Sequence, residues 1–523
     1  MFVEDIMVNF KEKTIYDYIG MAFLFASIII LIRLLTLPMA HSLIHIDEYF
    51  TLEVVKLNFI DACRVIIGDY HPPLYYMLLK VVKKLLLMTN IPLDLISALK
   101  LFSILPYFIL IIFSGTKIRK QYGWLTAGVF AFSLGIMSDF FISYLKIRMY
   151  SWGIIFLLLG FIALYGVLTK SDKKSWMLLT IFAVLGAYTQ YILAMSFIVL
   201  YLLLLGYILL FKENGFDRIG ELKKWIVSSI CGILLYAPWL PFLFRQTGKV
   251  SEEYWIATPD INEIFHYFYM SSTNSADLLP EIIAIVALIV FLAIAIKLYL
   301  DSKNISSDEE RIKGKKESIY LLIGMGVFLG TITVSLILTF TFRPILVVRY
   351  LVPSAAVVWF SYSIIIGKLQ DNKKIVTLLL ALVLLLGCCG VFYNEGEIAY
   401  ANHTISEDQR LFNQMNTNDS VVIIMGNINL LQFEDHLKNT TIYPVYSHKN
   451  KEWLPVLKKL DDDNKVKTVN ITTEVLEKNQ DKTIYEIIQY KKGTPDYGEN
   501  YTVTKNGTIA GYSRNVFIIE RAT

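Results

Sequence analysis

His45-Ile46-Asp47-Glu48-Tyr49 and, further on, Asp69-Tyr70-His71-Pro72-Pro73-Leu74-Tyr75-Tyr76 stand in one stretch, 39–94, bounded by the apolar runs 16–38 and 95–115. About 20 apolar residues suffice to cross a bilayer as a helix. The stretch between these two runs is longer than a connection between neighbouring membrane helices needs, and loops of that length usually carry function. Further runs free of charge fall at 123–138, 150–168, 175–188, 190–211, 224–242, 281–299, 319–340, 350–367 and 375–393, making eleven in all. The length 175–211 exceeds one crossing and carries Gly186, Tyr188, Thr189 and Gln190 near its middle, so it predicts a hairpin of two helices. The first run has too long an apolar core for a cleavable signal peptide, and no small-residue cleavage pattern follows it.

Composition agrees with this reading. The 523 residues are 55% hydrophobic and 18% charged, with a mean hydropathy of +0.52, which excludes a soluble enzyme or nucleic-acid binder as a reading of the whole chain. A net charge of +4 is too small to imply a nucleic-acid partner. Cys63, Cys231, Cys388 and Cys389 have no metal-ligand or disulfide spacing and read as packing residues. Lys and Arg concentrate in alternate loops, Lys117–Lys120, Lys170–Lys174, Lys212–Lys224, Lys297–Lys316 and Lys368–Lys374, which places those loops and the N-terminus inside. With an odd number of crossings the segment 395–523 then lies outside, and 1–394 forms the membrane domain.

The outer segment is soluble in composition. Its β-rich runs, Val421–Met425, Thr441–Tyr446, Val466–Ile471, Ile484–Tyr490 and Val516–Ile519, alternate with helical stretches at Ile428–Leu437 and Trp453–Leu460, which predicts a small α/β domain. Sequons at Asn402, Asn418, Asn439, Asn470, Asn500 and Asn506 suggest an N-glycosylated external face; a general Asn and Thr bias is the other reading. Asp461-Asp462-Asp463 reads as a solvated turn.

The chemistry is expected in the outside loops. Within 39–94, Thr51–Ile60 and Leu74–Leu87 are amphipathic, as helices lying on a membrane surface are, with Lys80, Lys83 and Lys84 at headgroup level. Asp47, Glu48 and Asp69 then sit just above the bilayer, where a partly dehydrated carboxylate gains basicity. Capping of the following helix is the alternative for Asp47 and Glu48. His71 can join a metal site, stabilise a phosphate or be structural. Arg148 and Tyr150 open the fourth span, and Arg343, Arg349 and Tyr350 flank the tenth; arginine there fits a phosphate bidentately or snorkels to the interface. Trp255, beside Tyr254, is the kind of aromatic that stacks on sugars or joins the interfacial belt.

Asp47-Glu48-Tyr49, then Asp69-x-His71-Pro72-Pro73-Leu74-Tyr75-Tyr76, Arg148-Met149-Tyr150, Pro238-Trp239-Leu240-Pro241 and Arg349-Tyr350-Leu351-x-Pro353, in this order, resemble the polytopic GT-C glycosyltransferases. The branch is that of the protein O-mannosyltransferases and the lipid A aminoarabinose transferase, and the resemblance covers about 1–370. It implies an α-helical polytopic membrane protein of about eleven transmembrane helices, followed by a small extracytoplasmic α/β domain. It also implies a multi-pass enzyme of the cell membrane that transfers a sugar from a dolichyl- or undecaprenyl-phosphate donor to a glycan, lipid or protein acceptor at the outer face, with inversion. Asp47 would be the base, with Glu48 beside it and Asp69 near the second acidic position. Arg148, Arg349 and His71 would hold the donor phosphate, and Tyr75, Tyr150, Tyr350 and Trp255 the substrate. No cofactor is implied outright, and a divalent cation stays open. Many relatives carry an acid two positions before the Arg of Arg148-Met149-Tyr150, where this chain has Lys146. A membrane transporter or flippase is the rival reading, yet neither internal repeats nor ionisable helices at mid-bilayer are evident. A metal-dependent oligosaccharyltransferase is the second rival.

Overall fold

The computed structural model describes residues 14–37, 46–89, 91–213, 215–250, 256–269, 278–425, 433, 436–445, 472–489, 493–509 and 514–522. They form, in order, α1 (Ile15–Thr36), α2 (Ile46–Lys56), α3 (Phe59–Gly68), α4 (Leu74–Thr89), α5 (Leu95–Phe113), α6 (Arg119–Ile136), α7 (Ser138–Leu145), α8 (Tyr150–Thr169), α9 (Lys173–Ala187), α10 (Tyr191–Leu210), α11 (Arg218–Tyr236), α12 (Leu240–Val250), α13 (Ile261–His266), α14 (Leu278–Ser302), α15 (Asp308–Thr341), α16 (Val352–Lys368) and α17 (Lys373–Met415). After them come β1 (Ser420–Met425), β2 (Thr441–Val445), α18 (Thr472–Lys478), β3 (Thr483–Gln489), β4 (Tyr501–Ile509) and β5 (Arg514–Arg521).

Every one of the eleven apolar runs is helical. Among the described residues eight helical stretches are long and apolar enough to cross a membrane; one of them, Leu95–Ile136, contains two of the predicted runs, and α9 and α16 are shorter. The predicted hairpin forms: α9 ends at Ala187, and Gln190, extended at φ −158° and ψ 140°, precedes α10. The basic segment Lys117–Lys120 is helical rather than a loop. It contains no breaker, so helix continues through a π turn, Ser114–Ile118, until Gly123, whose φ of 87° takes the chain out of helical geometry.

The chain divides into two compact units. The first comprises 1–39, 71–82 and 90–394. Its centre is α16, buried from Val352 to Gly367 and packed against α6, α8 and α15. At its periphery α11 exposes Ile226, Val227, Ile230, Ile233, Leu234 and Leu235, as a helix facing lipid does. Cys231 and Cys388 are exposed too, which corrects their reading as packing residues.

The loops of this unit sort to opposite helix ends, as the charge alternation predicts. At one end Glu213 pairs with Lys315 and, at 3.8 Å, with Arg311; Lys368 pairs with Glu317; and Lys224 Nζ donates to the Ser171 carbonyl at 3.0 Å. Away from that end, Lys146 before α8, described residues within 256–267 and Leu346–Arg349 before α16 share one space.

The second unit comprises 40–70, 83–89 and 395–523. The predicted amphipathic stretch Thr51–Ile60 is split: α2 ends at Lys56, and Asn58 caps α3 by accepting from the Asp61 amide at 3.0 Å. Lys83 reaches the carbonyls of Val55 and Lys56 at 3.2 and 3.1 Å and so closes the C-terminus of α2. α17 continues well past the apolar run because the residues after Gly396 contain no Gly or Pro.

The strands pair in the order β2-β1-β3-β5-β4, parallel through β2-β1-β3 and antiparallel through β3-β5-β4. An α/β domain was therefore legible from the runs 421–425, 441–446, 484–490 and 516–519. β4 was not predicted: its Lys505-Asn506-Gly507 reads as a turn but forms a bulge on an edge strand. The run Val466–Ile471, the helix Trp453–Leu460, most of Ile428–Leu437 and the Asp461-Asp462-Asp463 turn lie outside the described residues. Asn402, Asn418, Asn439 and Asn500 are exposed, and Asn506 is half-buried at the bulge.

Candidate functional site

The sequence places Asp139, Ser143 and Lys146 at i, i+4 and i+7, one face of the short helix α7 and its C-cap. That face lines a cavity of about 340 Å³. Tyr150, the first residue of α8, Arg349, in the 3-10 turn Val348–Tyr350 before α16, and Glu263, His266 and Tyr267 of α13 and its C-cap line the same space. Both cations and carboxylates are present, so the cavity suits a ligand that carries an anion and hydroxyl groups together.

Arg349 is held in place on two sides. Its Nε donates to the Tyr150 hydroxyl at 3.2 Å, and its guanidinium lies 5.6 Å from the centre of the Tyr350 ring. The Tyr150 and Tyr350 rings are themselves 6.2 Å apart. A guanidinium fixed in this way loses little further freedom on meeting an anion.

Of the other predicted residues, Arg148 and His71 come together: an Arg148 terminal nitrogen lies 3.0 Å from His71 Nε2. Arg148 is buried and is not among the residues lining the cavity. The Tyr75 hydroxyl shares a buried hydrogen bond of 3.1 Å with Ser103 of α5. Asp47 and Glu48 lie in the first turn of α2, where the helix dipole favours carboxylates, Asp47 half-buried and Glu48 fully buried; Asp69 follows α3 as its C-cap. These three belong to the second unit. Trp255 lies outside the described residues. No group of three or more His, Cys, Asp or Glu able to hold a metal occurs among the described residues.

Asp139 was missed in the sequence, where it falls at the edge of an apolar run with no motif around it. Its carboxylate accepts from the Tyr269 hydroxyl at 3.0 Å. His266 stacks on the Tyr269 ring at 4.3 Å and pairs through Nδ1 with Glu281. Burial lifts Asp139 from 3.8 to about 6, with Tyr269, Lys146 and His266 opposing that rise. Burial, and then the Asp139 carboxylate, raises Tyr269 well above the usual phenol value and keeps it an O–H donor.

The sign of the pH effect follows. Because Asp139 holds its proton more tightly folded than unfolded, its contribution to stability is complete below about pH 4 and is lost as pH rises through about 6. At 1.36 kcal/mol per pKa unit the loss is about 3 kcal/mol. Unfolding of the detergent-solubilised protein between about pH 4 and 7 is expected to show this decline against the background of Lys146, Glu263, His266 and Tyr269, and Asp139→Asn is expected to flatten it. An equal slope in both proteins would remove Asp139 from the account.

No protein-family profile and no curated protein matches the chain. Solved structures do. ArnT from Cupriavidus metallidurans in the apo state matches at 12% identity and a TM-score of 0.40, over 95% of this chain and 97% of that one. The same protein bound to undecaprenyl phosphate matches at 13% and 0.41, with the same coverage. The apo Archaeoglobus fulgidus oligosaccharyltransferase matches at 11% and 0.46, over 91% of this chain and 70% of that one.

Proposed function

We propose that this chain is a GT-C type glycosyltransferase that moves a hexosyl or pentosyl group from a polyprenyl-phosphate donor to an acceptor at the outer membrane surface. The observation that carries the reading is Arg349, oriented by Tyr150 and Tyr350 on the wall of a cavity at one end of an apolar helix bundle. A lipid-linked phosphate needs such a place, because its prenyl chain stays in hydrocarbon while its head meets a guanidinium. The ordered motifs from Asp47 to Pro353 support the same reading. Sorting of the basic loops to the opposite helix end supports a cavity that faces outward.

In this reading an acceptor hydroxyl attacks C1 of the sugar from the face opposite the phosphate, which inverts that centre. Asp47 takes the hydroxyl proton, the bond from C1 to the phosphate oxygen breaks, and its electron pair leaves with the polyprenyl phosphate. Arg349 stabilises the charge that gathers on that phosphate, while Arg148 pairs with His71 away from the cavity lining.

The test is transfer by purified protein in detergent from radiolabelled polyprenyl-phosphate sugars. Asp47→Asn is expected to lower the rate roughly 10²- to 10⁴-fold, the range for loss of a general base. Survival of transfer in chelator argues against a metal-dependent oligosaccharyltransferase. Turnover of no donor, with Asp47→Asn fully active in cells, would overturn the proposal and favour a transporter.

A further inference from the structure

Arg349, Tyr150 and Tyr350 account for an anion in the cavity and leave Asp139 and Lys146 unexplained. Asp139 is only 8% exposed, yet it lines the cavity. Its one hydrogen bond among the described residues comes from Tyr269. An ionised carboxylate can accept about four such bonds, and burying it with one is unfavourable unless a ligand supplies others. Lys146, on the same helix face and lining the same cavity, makes no ion pair or side-chain hydrogen bond among the described residues. It lies outside ion-pair distance of Asp139. At 1.5 Å per residue the two positions are about 10 Å apart along α7, a gap that one sugar ring bearing a phosphate can bridge.

We infer that Asp139 accepts a hydrogen bond from a hydroxyl of the donor sugar, and that Lys146 joins Arg349 as the second cation for the donor phosphate. The inference rests on the transferase reading and assigns each half of the donor to a side chain. Tyr269 positions the carboxylate: its hydroxyl occupies one oxygen, and the carboxylate's remaining acceptor capacity serves the ligand. Specificity for the sugar then comes from Asp139, because a donor lacking the matching hydroxyl leaves a buried acceptor unsatisfied.

The experiment is equilibrium binding to the full-length protein in detergent, with undecaprenyl phosphate and the same lipid phosphate bearing a sugar as the two probes. Wild type is expected to bind the sugar-bearing probe more tightly. Asp139→Asn keeps the size and the acceptor for Tyr269 but turns the other oxygen into a donor; it is expected to weaken the sugar-bearing probe about tenfold and leave the bare one unchanged. Lys146→Gln is expected to weaken both probes by a similar factor. A structural role for Asp139 would move both probes together, so equal weakening, or none, in Asp139→Asn overturns the inference while wild-type transfer upholds the enzyme. Wild type that binds neither probe overturns the transferase reading itself.

Discussion

Arg349→Ala is expected to weaken binding of undecaprenyl phosphate, and transfer from its sugar-bearing form, by roughly 10²- to 10⁴-fold. Hydrogen bonds to charged groups contribute about 1.5–3 kcal/mol each, and a phosphate takes two from one guanidinium. The loss is large because Arg349 is already oriented by the Tyr150 hydroxyl at 3.2 Å and by the Tyr350 ring. Arg349→Lys restores the charge without the planar fork and is expected to recover only part of the loss. Tyr150→Phe removes the acceptor for Nε and is expected to fall between wild type and Arg349→Ala. Binding measured on the same detergent preparation checks all three, and Arg349→Ala at wild-type affinity would remove the phosphate from this cavity.

Gly128→Leu is expected to unfold or severely loosen the first unit. A Cβ at Gly128 would stand 1.9 Å from the Gly20 carbonyl oxygen and 2.6 Å from its carbon, and one at Gly20 would stand 2.2 Å from the Trp124 oxygen. Backbone meets backbone on both sides, so no side chain can turn away to make room. α1 must instead lift from α6, which uncovers Phe23, Ser27, Leu31 and Leu34. Overpacking costs about 1–3 kcal/mol where side chains can adjust, and this site belongs at or above the upper end. Small residues at such a crossing are what allow two membrane helices to approach closely. Thermal unfolding followed by circular dichroism in detergent is the check: a midpoint for Gly128→Leu within a few degrees of wild type would show that α1 is not held there.

Both results turn on contacts between distant parts of the chain, and that is where sequence reading stopped. Run length and polarity are local properties, so all eleven apolar helices, the break at Tyr188 to Gln190 and four strands of the sheet were legible. β4 was not, because Asn506-Gly507 has the same local signature in a turn and in an edge bulge. The basic segment Lys117–Lys120 failed for the complementary reason: charge marked a loop, while helix propensity carried the chain on to Gly123.

The candidate site divides in the same way. Arg349, Tyr150 and Tyr350 were readable because they sit in short ordered motifs, and the structure brings Arg349 and Tyr150 to one cavity wall with the Tyr350 ring against them. Arg148 stood in an equally clear motif, yet its partner is His71, and it does not line that wall. Asp139 carried no motif; its environment comes from Tyr269, far along the chain, and from burial, which no residue specifies alone. The sequence by itself determined which segments are apolar helices and that the C-terminal part folds as α/β, since these depend on neighbours within a few residues. Which charged groups share one cavity, and which of them is buried enough to hold its proton near pH 6, was decided only by tertiary packing, because desolvation and Coulomb interaction depend on distance in space.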